Sequence, residues 1–297
     1  MADETQPTFL EPEFLKKLER LRLVAKRISS ARGKGEHLSA RRGSSLEFSD
    51  YRRYHPGDDF RYVDWNIYRR LERLLLKVFI GEEEMNIYLL LDVSRSMSEG
   101  VPSKIDYAKS VAAALGYIGL TNHDRVGAAS FSTDVDSHLS LGRGRKQILA
   151  LFRFLRELNC QGETDLRLSA RSFSLRFPSR GLVVLVSDLF DPQGTRAGFE
   201  ELMRKGYEVL VVHILDRSEI RLEPVGDVSL YDVESEREKR IFLDTALVQR
   251  FHEEVQRYLE ETATFCRNHE MDYLRTTTEM PFEDFVLRTL RQGRTVR

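Results

Sequence analysis

The feature that most constrains the fold of this chain is a series of short apolar runs, each about as long as one strand. Ile87–Leu91, Leu182–Val186 and Tyr207–Leu215 contain few polar residues, and their apolar residues do not alternate with polar ones. A strand with apolar side chains on both sides is buried on both faces, which is typical of parallel strands covered by helices. The runs therefore predict a buried, mostly parallel sheet.

Segments with helical spacing separate these runs. Apolar residues recur at intervals of three and four over residues 103–118, 145–158, 166–177, 196–205 and 245–268. Strands that alternate with helices predict an α/β fold over residues 81–297, with a doubly wound, mostly parallel, Rossmann-like sheet. Two further strand patterns predict a hairpin insertion at about 224–243. In such a sheet, ligands bind at the carboxyl ends of the central strands.

Residues 1–80 differ from the rest and predict a small, irregular, basic N-terminal region. A helix is expected over residues 13–28, whereas residues 29–70, with the single tryptophan Trp65, have no clear period and predict loops and short strands. The stretch 16–77 contains 17 basic and 8 acidic residues. This excess fits a docking face for an acidic partner, or a solvated face with internal ion pairs. The aspartates available for such pairs are Asp58, Asp59 and Asp64.

The composition of the whole chain excludes some classes of protein. A formal net charge of −1 gives no reason to expect nucleic acid or an anionic membrane as the main partner. The acidic N-terminus lacks the apolar core of a secretory signal, and no apolar run approaches the roughly 20 residues of a membrane span. The two cysteines, Cys160 and Cys266, cannot form a disulfide scaffold. We therefore expect a cytoplasmic protein.

Polar residues follow two of the buried runs. Asp92, Ser94 and Ser96 come directly after the first run in an Asp-x-Ser-x-Ser pattern, and Asp188 follows the second. Thr164 lies between them in sequence, where a loop enters a helix. Alternate residues of a loop can point the same way, and parallel strands end at one edge of a sheet. We therefore expect these five side chains to meet.

Carboxylate and hydroxyl oxygens are the ligands that hard cations prefer, and Mg²⁺ binds about six of them. Two carboxylates and three hydroxyls would leave at least one coordination position open. An ion with few carboxylate ligands stays electrophilic enough to accept a carboxylate from another molecule. The pattern thus predicts a divalent-cation site for Mg²⁺, with Mn²⁺ or Ca²⁺ as alternatives, that grips an acidic residue of a protein partner.

The same five residues resemble, one by one, the metal-ion-dependent adhesion site of von Willebrand A domains. The resemblance covers roughly residues 82–297 and implies an α/β domain with a non-enzymatic binding role. It also implies that Ser94 and Ser96 bind the metal directly. Thr164 would bind directly or through water, and Asp92 and Asp188 often through water.

A second resemblance covers the front of the chain. Gly35–Ser39, Tyr51–Tyr54, Pro56–Asp59, Asp64–Trp65 and Val78–Phe79 are similar, in this order, to the bacterial "domain of unknown function 58" family. Members of that family contain an A-like domain and are commonly associated with MoxR-type AAA+ ATPases. The resemblance therefore implies such an ATPase as a candidate partner or regulator, with the A-like domain as an adaptor.

Two other functions stay open at this stage. The first is a metal-dependent phosphohydrolase with Asp92 as nucleophile, resembling phosphatases of the haloacid dehalogenase type. Those enzymes need a second acid two residues later, and that position holds Ser94, which cannot protonate a leaving group at neutral pH. The second is nucleic-acid binding by the basic N-terminal region, which predicts a steep salt dependence.

Overall fold

The central sheet of the protein is mostly parallel and lies between two layers of helices. The computed structural model describes residues 11–32, 46–81, 84–191, 194–222, 226–231 and 238–292. In chain order, the strands are β1 (Leu46–Arg53), β2 (Leu75–Gly81), β3 (Asn86–Asp92), β4 (Arg125–Phe131), β5 (Val135–Gly142), β6 (Leu182–Ser187), β7 (Glu208–Leu215), β8 (Gly226–Tyr231), β9 (Glu238–Leu243) and β10 (Asp272–Thr277). The helices are α1 (Pro12–Arg32), α2 (Trp65–Leu71), α3 (Lys104–Thr121), α4 (Gly144–Glu157), α5 (Leu166–Arg176), α6 (Thr195–Arg204), α7 (Arg217–Ile220), α8 (Thr245–Asn268) and α9 (Phe282–Gln292).

The strand order of the large sheet is β10-β7-β6-β3-β4-β5. All neighbouring strands in it are parallel except β4 and β5, which form an antiparallel edge. After β3 the chain builds β4 and β5 on one side and then returns to build β6, β7 and β10 on the other. The order thus reverses between β3 and β6, and such a reversal opens a crevice at the carboxyl ends of the two strands.

Alternate residues of the central strand β3 pack into two separate cores. Leu89 and Leu91 belong to a core formed with α1, α3, α4 and α9. Tyr88 and Leu90 belong to a core on the other face, with α5, α6 and part of α8. A strand whose two faces are both buried carries an uninterrupted apolar run, which explains the pattern of the sequence. The predicted doubly wound α/β fold is confirmed.

The structure also bears on the other expected elements. Strands β8 and β9 pair antiparallel, as predicted for the hairpin near residues 224–243, while the tip at residues 232–237 lies outside the described residues. Within residues 29–70 the prediction of only loops and short strands is wrong, because α2 is a helix of seven residues. In the described part of the chain, no helix combines the length and the apolar character that crossing a membrane requires.

The described residues fall into two compact units. One contains the described residues up to residue 29 and from residue 85 onward, and the other contains the described residues between 30 and 84. Most of helix α1 therefore belongs to the unit that contains the large sheet. Its residues Leu18 and Leu21 are buried in the core beside α3 and α9. An amphipathic helix buries its apolar side in this way against other apolar elements.

Three basic residues of the smaller unit are paired with its aspartates. Strands β1 and β2 form an antiparallel pair. Arg52 makes two hydrogen bonds of 2.7 Å with Asp58, and Arg61 is bound to Asp59 at 2.7 Å. The carboxylate of Asp64 accepts a hydrogen bond from Tyr51 at 2.9 Å and lies 3.1 Å from the ammonium of Lys77. These pairs follow the expectation that Asp58, Asp59 and Asp64 offset the nearby positive charge.

Candidate functional site

The first part of the candidate site is the loop that follows β3. Asp92 is the last residue of that strand, and its Oδ1 accepts the backbone N–H of Ser94 at 2.9 Å. A short 3-10 turn over Arg95–Ser98 then brings the hydroxyl of Ser96 to 3.1 Å from that of Ser94. The Asp-x-Ser-x-Ser pattern therefore folds back on itself, and its three polar side chains gather above the strand end.

The second part is the loop before α5, which is attached to the first. The N–H of Gln161 donates to the carbonyl of Val93 at 2.7 Å, and the N–H of Arg95 donates to the carbonyl of Gly162 at 3.0 Å. These two bonds join the two loops, and Thr164 lies two residues after Gly162. The structure thus brings the loop of Thr164 against the loop of the two serines, although about 70 residues separate them.

The third part is the loop after β6. Because β3 and β6 are paired, Ser187 lies beside Asp92, and its hydroxyl donates to Asp92 Oδ2 at 2.6 Å. Asp188 follows and is fully buried. Leu189 then adopts a left-handed backbone conformation with φ of 55°, which is costly for a residue with a bulky side chain.

Two further contacts hold this loop in place. The hydroxyl of Tyr258 donates to the carbonyl of Leu189 at 2.5 Å. The carbonyl of Asp188 accepts a hydrogen bond from His213 Nε2 at 2.8 Å, and His213 Nδ1 accepts from the Tyr273 hydroxyl at 2.7 Å. Burial lowers the pKa of His213 to about 4, so its ring is neutral. Strained backbone that its surroundings hold in place is concentrated at functional sites.

The electrostatics of the site favour a cation. Burial and, after it, the negative charge of Asp188 raise the pKa of Asp92 to about 7, against hydrogen bonds from Ser187 and Ser94 that lower it. Two carboxylates that are both fully buried and that repel each other gain from a positive charge placed between them. Ser96 is only partly buried, so the site faces solvent on its side.

Two residues that the sequence did not single out complete this arrangement. Lys104 is fully buried at the start of α3, and its ammonium lies 2.6 Å from Asp188 Oδ2 and also contacts Glu219 of α7. Burial lowers the pKa of Lys104, but the charges of Asp188 and Glu219 outweigh burial and raise the pKa overall. The signal in the sequence was a lysine at the first position of a helix, where the helix dipole disfavours a cation.

The donor set fits a hard divalent cation. Thr164 Oγ1 is buried and has no hydrogen-bond partner among the described residues, although a buried hydroxyl is normally paired. A bound ion would give this oxygen a partner. The described ranges hold no group of three or more His, Cys, Asp or Glu side chains arranged for a metal, so the site would depend on its hydroxyl oxygens. Oxygen ligands of this kind suit Mg²⁺, Mn²⁺ or Ca²⁺.

The unpaired hydroxyl leads to a prediction about stability without metal. Replacing Thr164 with valine removes a buried polar atom that costs about 1–3 kcal/mol when it is unsatisfied. We expect Thr164→Val to raise the free energy of unfolding by about 1 kcal/mol in the presence of a chelator. Urea denaturation followed by circular dichroism measures this change.

Thr276→Val is the matched control for that experiment. The hydroxyl of Thr276 lies 3.0 Å from that of Tyr107, so its removal leaves Tyr107 without this partner. We expect this variant to lose stability, by about 1–3 kcal/mol. A loss of similar size in Thr164→Val would mean that the Thr164 hydroxyl has a partner in the metal-free protein.

Comparison with known proteins gives relatives that are themselves of unknown function. The chain is 28% identical over 243 residues to uncharacterized proteins of Mycobacterium bovis and Mycobacterium tuberculosis, and the aligned region covers 80% of this chain and 76% of each relative. Among solved structures, BatB from Bacteroides thetaiotaomicron is 17% identical with a TM-score of 0.44, and the match covers 69% of this chain and 96% of that one. An aerotolerance-related membrane protein from Bacteroides fragilis is 19% identical with a TM-score of 0.42, covering 71% and 98% of the two chains.

The family model is the finding that classifies the protein. The model described as "Protein of unknown function DUF58" matches residues 50–261. This match includes β3, β6 and the loops that carry Asp92, Thr164 and Asp188. It spans well over half of the sequence, and residues 35–79 resemble the same family. The chain therefore belongs to the DUF58 family of proteins of unknown function.

Proposed function

We propose that the protein is a metal-dependent interaction module of the von Willebrand A type, and that it binds its partner without catalysing a reaction. Asp92, Ser94, Ser96, Thr164 and Asp188 would hold a divalent cation, with Mg²⁺ as the first candidate. An acidic residue of the partner would complete the coordination of the ion. The observation that carries the proposal is the buried Oγ1 of Thr164, which has no hydrogen-bond partner among the described residues and stands in a loop bonded to the loop of Ser94 and Ser96.

Three features of the site support this role. It lies at the carboxyl ends of β3 and β6, where the strand order reverses and where α/β proteins bind ligands. Its carboxylates and Thr164 Oγ1 are buried, whereas Ser96 is partly exposed, so a partner would reach the ion from the side of Ser96. The left-handed conformation of Leu189 fixes the position of Asp188 at an energetic cost that a binding site would justify.

The partner is proposed from chemistry and from the resemblance. A cation with an open position accepts a carboxylate, so the partner would present an aspartate or a glutamate. The association of this family with MoxR-type AAA+ ATPases suggests that the protein is an adaptor between such an ATPase and a client. The net charge of −1, together with the ion pairs of Arg52 with Asp58 and of Arg61 with Asp59, favours a protein over nucleic acid as the partner.

Calorimetric titration with Mn²⁺ tests the metal site directly, and two serines of the same loop make a matched pair. Ser96→Ala removes a proposed ligand and is expected to weaken Mn²⁺ binding at least tenfold, which corresponds to about 1.4 kcal/mol. The Ser98 hydroxyl donates to the carbonyl of Arg95 at 2.6 Å and is no part of the site. Ser98→Ala is therefore expected to bind Mn²⁺ like the wild type.

Two results would contradict the proposal. Equal effects of Ser96→Ala and Ser98→Ala on Mn²⁺ binding would mean that the ion is bound elsewhere. Turnover of a phosphate ester by the wild type that is lost in Asp92→Asn would mean that the site is a hydrolase and that Asp92 is its nucleophile.

A further inference from the structure

Lys104 occupies a position that is unfavourable for a cation unless anions surround it. It is the first residue of α3, where the positive end of the helix dipole opposes a positive charge, and its side chain has no exposed surface. Its ammonium contacts Asp188 at 2.6 Å and Glu219, and it lies 4.9 Å from the centre of the Phe190 ring. The lysine is thus enclosed by two carboxylates and an aromatic face.

Glu219 is held in place for this contact. Its second carboxylate oxygen accepts the backbone N–H of Asp216 at 2.7 Å, as part of the capping box that begins α7. Asp216 in turn accepts hydrogen bonds from the N–H of Ser218 at 2.9 Å and from the hydroxyl of Thr278 at 3.2 Å. The ammonium therefore bridges Asp188 to a fixed carboxylate on a separate element, and its position is determined from both sides.

With all its carboxylates ionised, the site carries an excess of negative charge that one divalent cation would offset. Asp92, Asp188 and Glu219 contribute three negative charges when ionised, and Lys104 contributes one positive charge. The remaining two negative charges equal the charge of one divalent ion. Lys104 and an ion bound at the site would both interact with Asp188, so they would compete for the same carboxylate at close range.

We propose that Lys104 and Glu219 form a built-in charge pair that sets the affinity of the site for a divalent cation. This inference rests on the proposed metal site and concerns its regulation. The ammonium repels the ion and occupies Asp188 Oδ2, which weakens metal binding. Glu219 screens the ammonium and so limits that weakening. A site tuned in this way binds its ion tightly only when a partner carboxylate adds negative charge.

The proposal makes opposite predictions for two substitutions, both measured by calorimetric titration with Mn²⁺. Lys104→Met keeps the length and packing of the side chain but removes its charge, and is expected to tighten Mn²⁺ binding on the order of tenfold. Glu219→Gln keeps a hydrogen-bond acceptor for the ammonium but removes the screening charge, and is expected to weaken binding on the order of tenfold. A merely structural role for the pair would move both affinities in the same direction.

Lys109→Met is the matched control on the same helix. Lys109 is also buried, but its nearest anion is Asp106 at 3.9 Å. We expect its loss to change Mn²⁺ affinity no more than about threefold, because its charge does not contact Asp188. Thermal melts in chelator provide a second readout. Lys104→Met should melt well below the wild type, because it leaves Asp188 and Glu219 without their shared cation.

The possible results separate this inference from the metal site itself. If the wild type binds Mn²⁺ but Lys104→Met and Glu219→Gln shift its affinity in the same direction, or not at all, the charge pair does not tune the site and only this inference fails. If the wild type binds no Mn²⁺, the proposed function fails together with it. If Lys104→Met does not fold, Glu219→Gln and the double variant decide, because the double variant removes both charges and is expected to bind at least as tightly as the wild type.

Discussion

Magnesium is expected to raise the melting temperature of the wild-type protein by about 5–10 °C at a hundred times its Kd, and Asp92→Ala is expected to abolish that rise. The reason is that the ligands come from three loops that meet only in the folded chain, so the ion binds the native state alone. Occupancy at this concentration adds about 2.7 kcal/mol to the free energy of unfolding. Differential scanning calorimetry with Mg²⁺, with Mn²⁺ and with chelator measures the shift.

Asp136→Ala is the control for this melt, because Asp136 lies on β5 and contacts Ser132 at 3.2 Å, outside the proposed ligand set. Its melting temperature is expected to rise with magnesium as the wild type's does. If Asp92→Ala gains as much from magnesium as the wild type and Asp136→Ala do, the ion acts somewhere else on the protein. Asp92→Asn serves as a second variant of the same side chain, since it keeps the shape of the carboxylate.

Elements with a buried face were predictable from the sequence. The expected long helix at residues 245–268 matches α8. Apolar residues repeat along this helix, and Asp244 caps its first turn by accepting the N–H of Leu247 at 2.7 Å. The central strands were equally clear, since burial on both faces leaves an apolar run that no surface element shows. Patterns of this kind record burial, and burial determines the layers of the fold.

Elements without buried residues left no such record. None of the seven residues of α2 is buried. Its apolar residues Trp65, Tyr68 and Leu71 are exposed and so record no buried face, and the signal that begins the helix was Asp64. The Asp64 side chain accepts the N–H groups of Asn66 at 2.9 Å and Ile67 at 3.2 Å and so begins the helix. The position of α1 was also not predictable. Its apolar face indicates that the helix packs against other elements, but it does not identify those elements.

The candidate site was predictable only as far as local motifs reach. Asp92, Ser94 and Ser96 stand in one loop, and the strand-end rule predicts that the loops of Thr164 and Asp188 lie near it. The contacts of Lys104 were not predictable, because Lys104 precedes Asp188 by 84 residues and Glu219 lies 31 residues beyond Asp188. Contacts over such separations depend on how α3 and α7 approach the sheet, and the spacing of residues along the chain does not contain that information.

We expect chelator to release a partner protein that the immobilised wild-type chain retains in magnesium. The affinity for this partner is expected to decrease by a factor of between about 30 and several thousand. That range corresponds to about 2–5 kcal/mol, the usual cost of removing one partner of a buried charged contact. The physical reason is that the partner's carboxylate would bind the ion directly, so without the ion it would face Asp92 and Asp188, which repel it. Affinity capture followed by surface plasmon resonance on the purified partner measures the change, and restored magnesium should restore binding.

The matched serines serve again as the controls. Ser96→Ala is expected to lose the partner even in magnesium. Ser98→Ala is expected to retain it, because the Ser98 hydroxyl of the wild type donates to Arg95 within its own turn. Neutralising one aspartate or glutamate of the partner should reproduce the loss caused by chelator, because either change removes one half of the same metal-bridged contact. A partner that stays bound in chelator but dissociates steeply with rising salt would instead place the interaction on a basic surface and remove the metal from the recognition step.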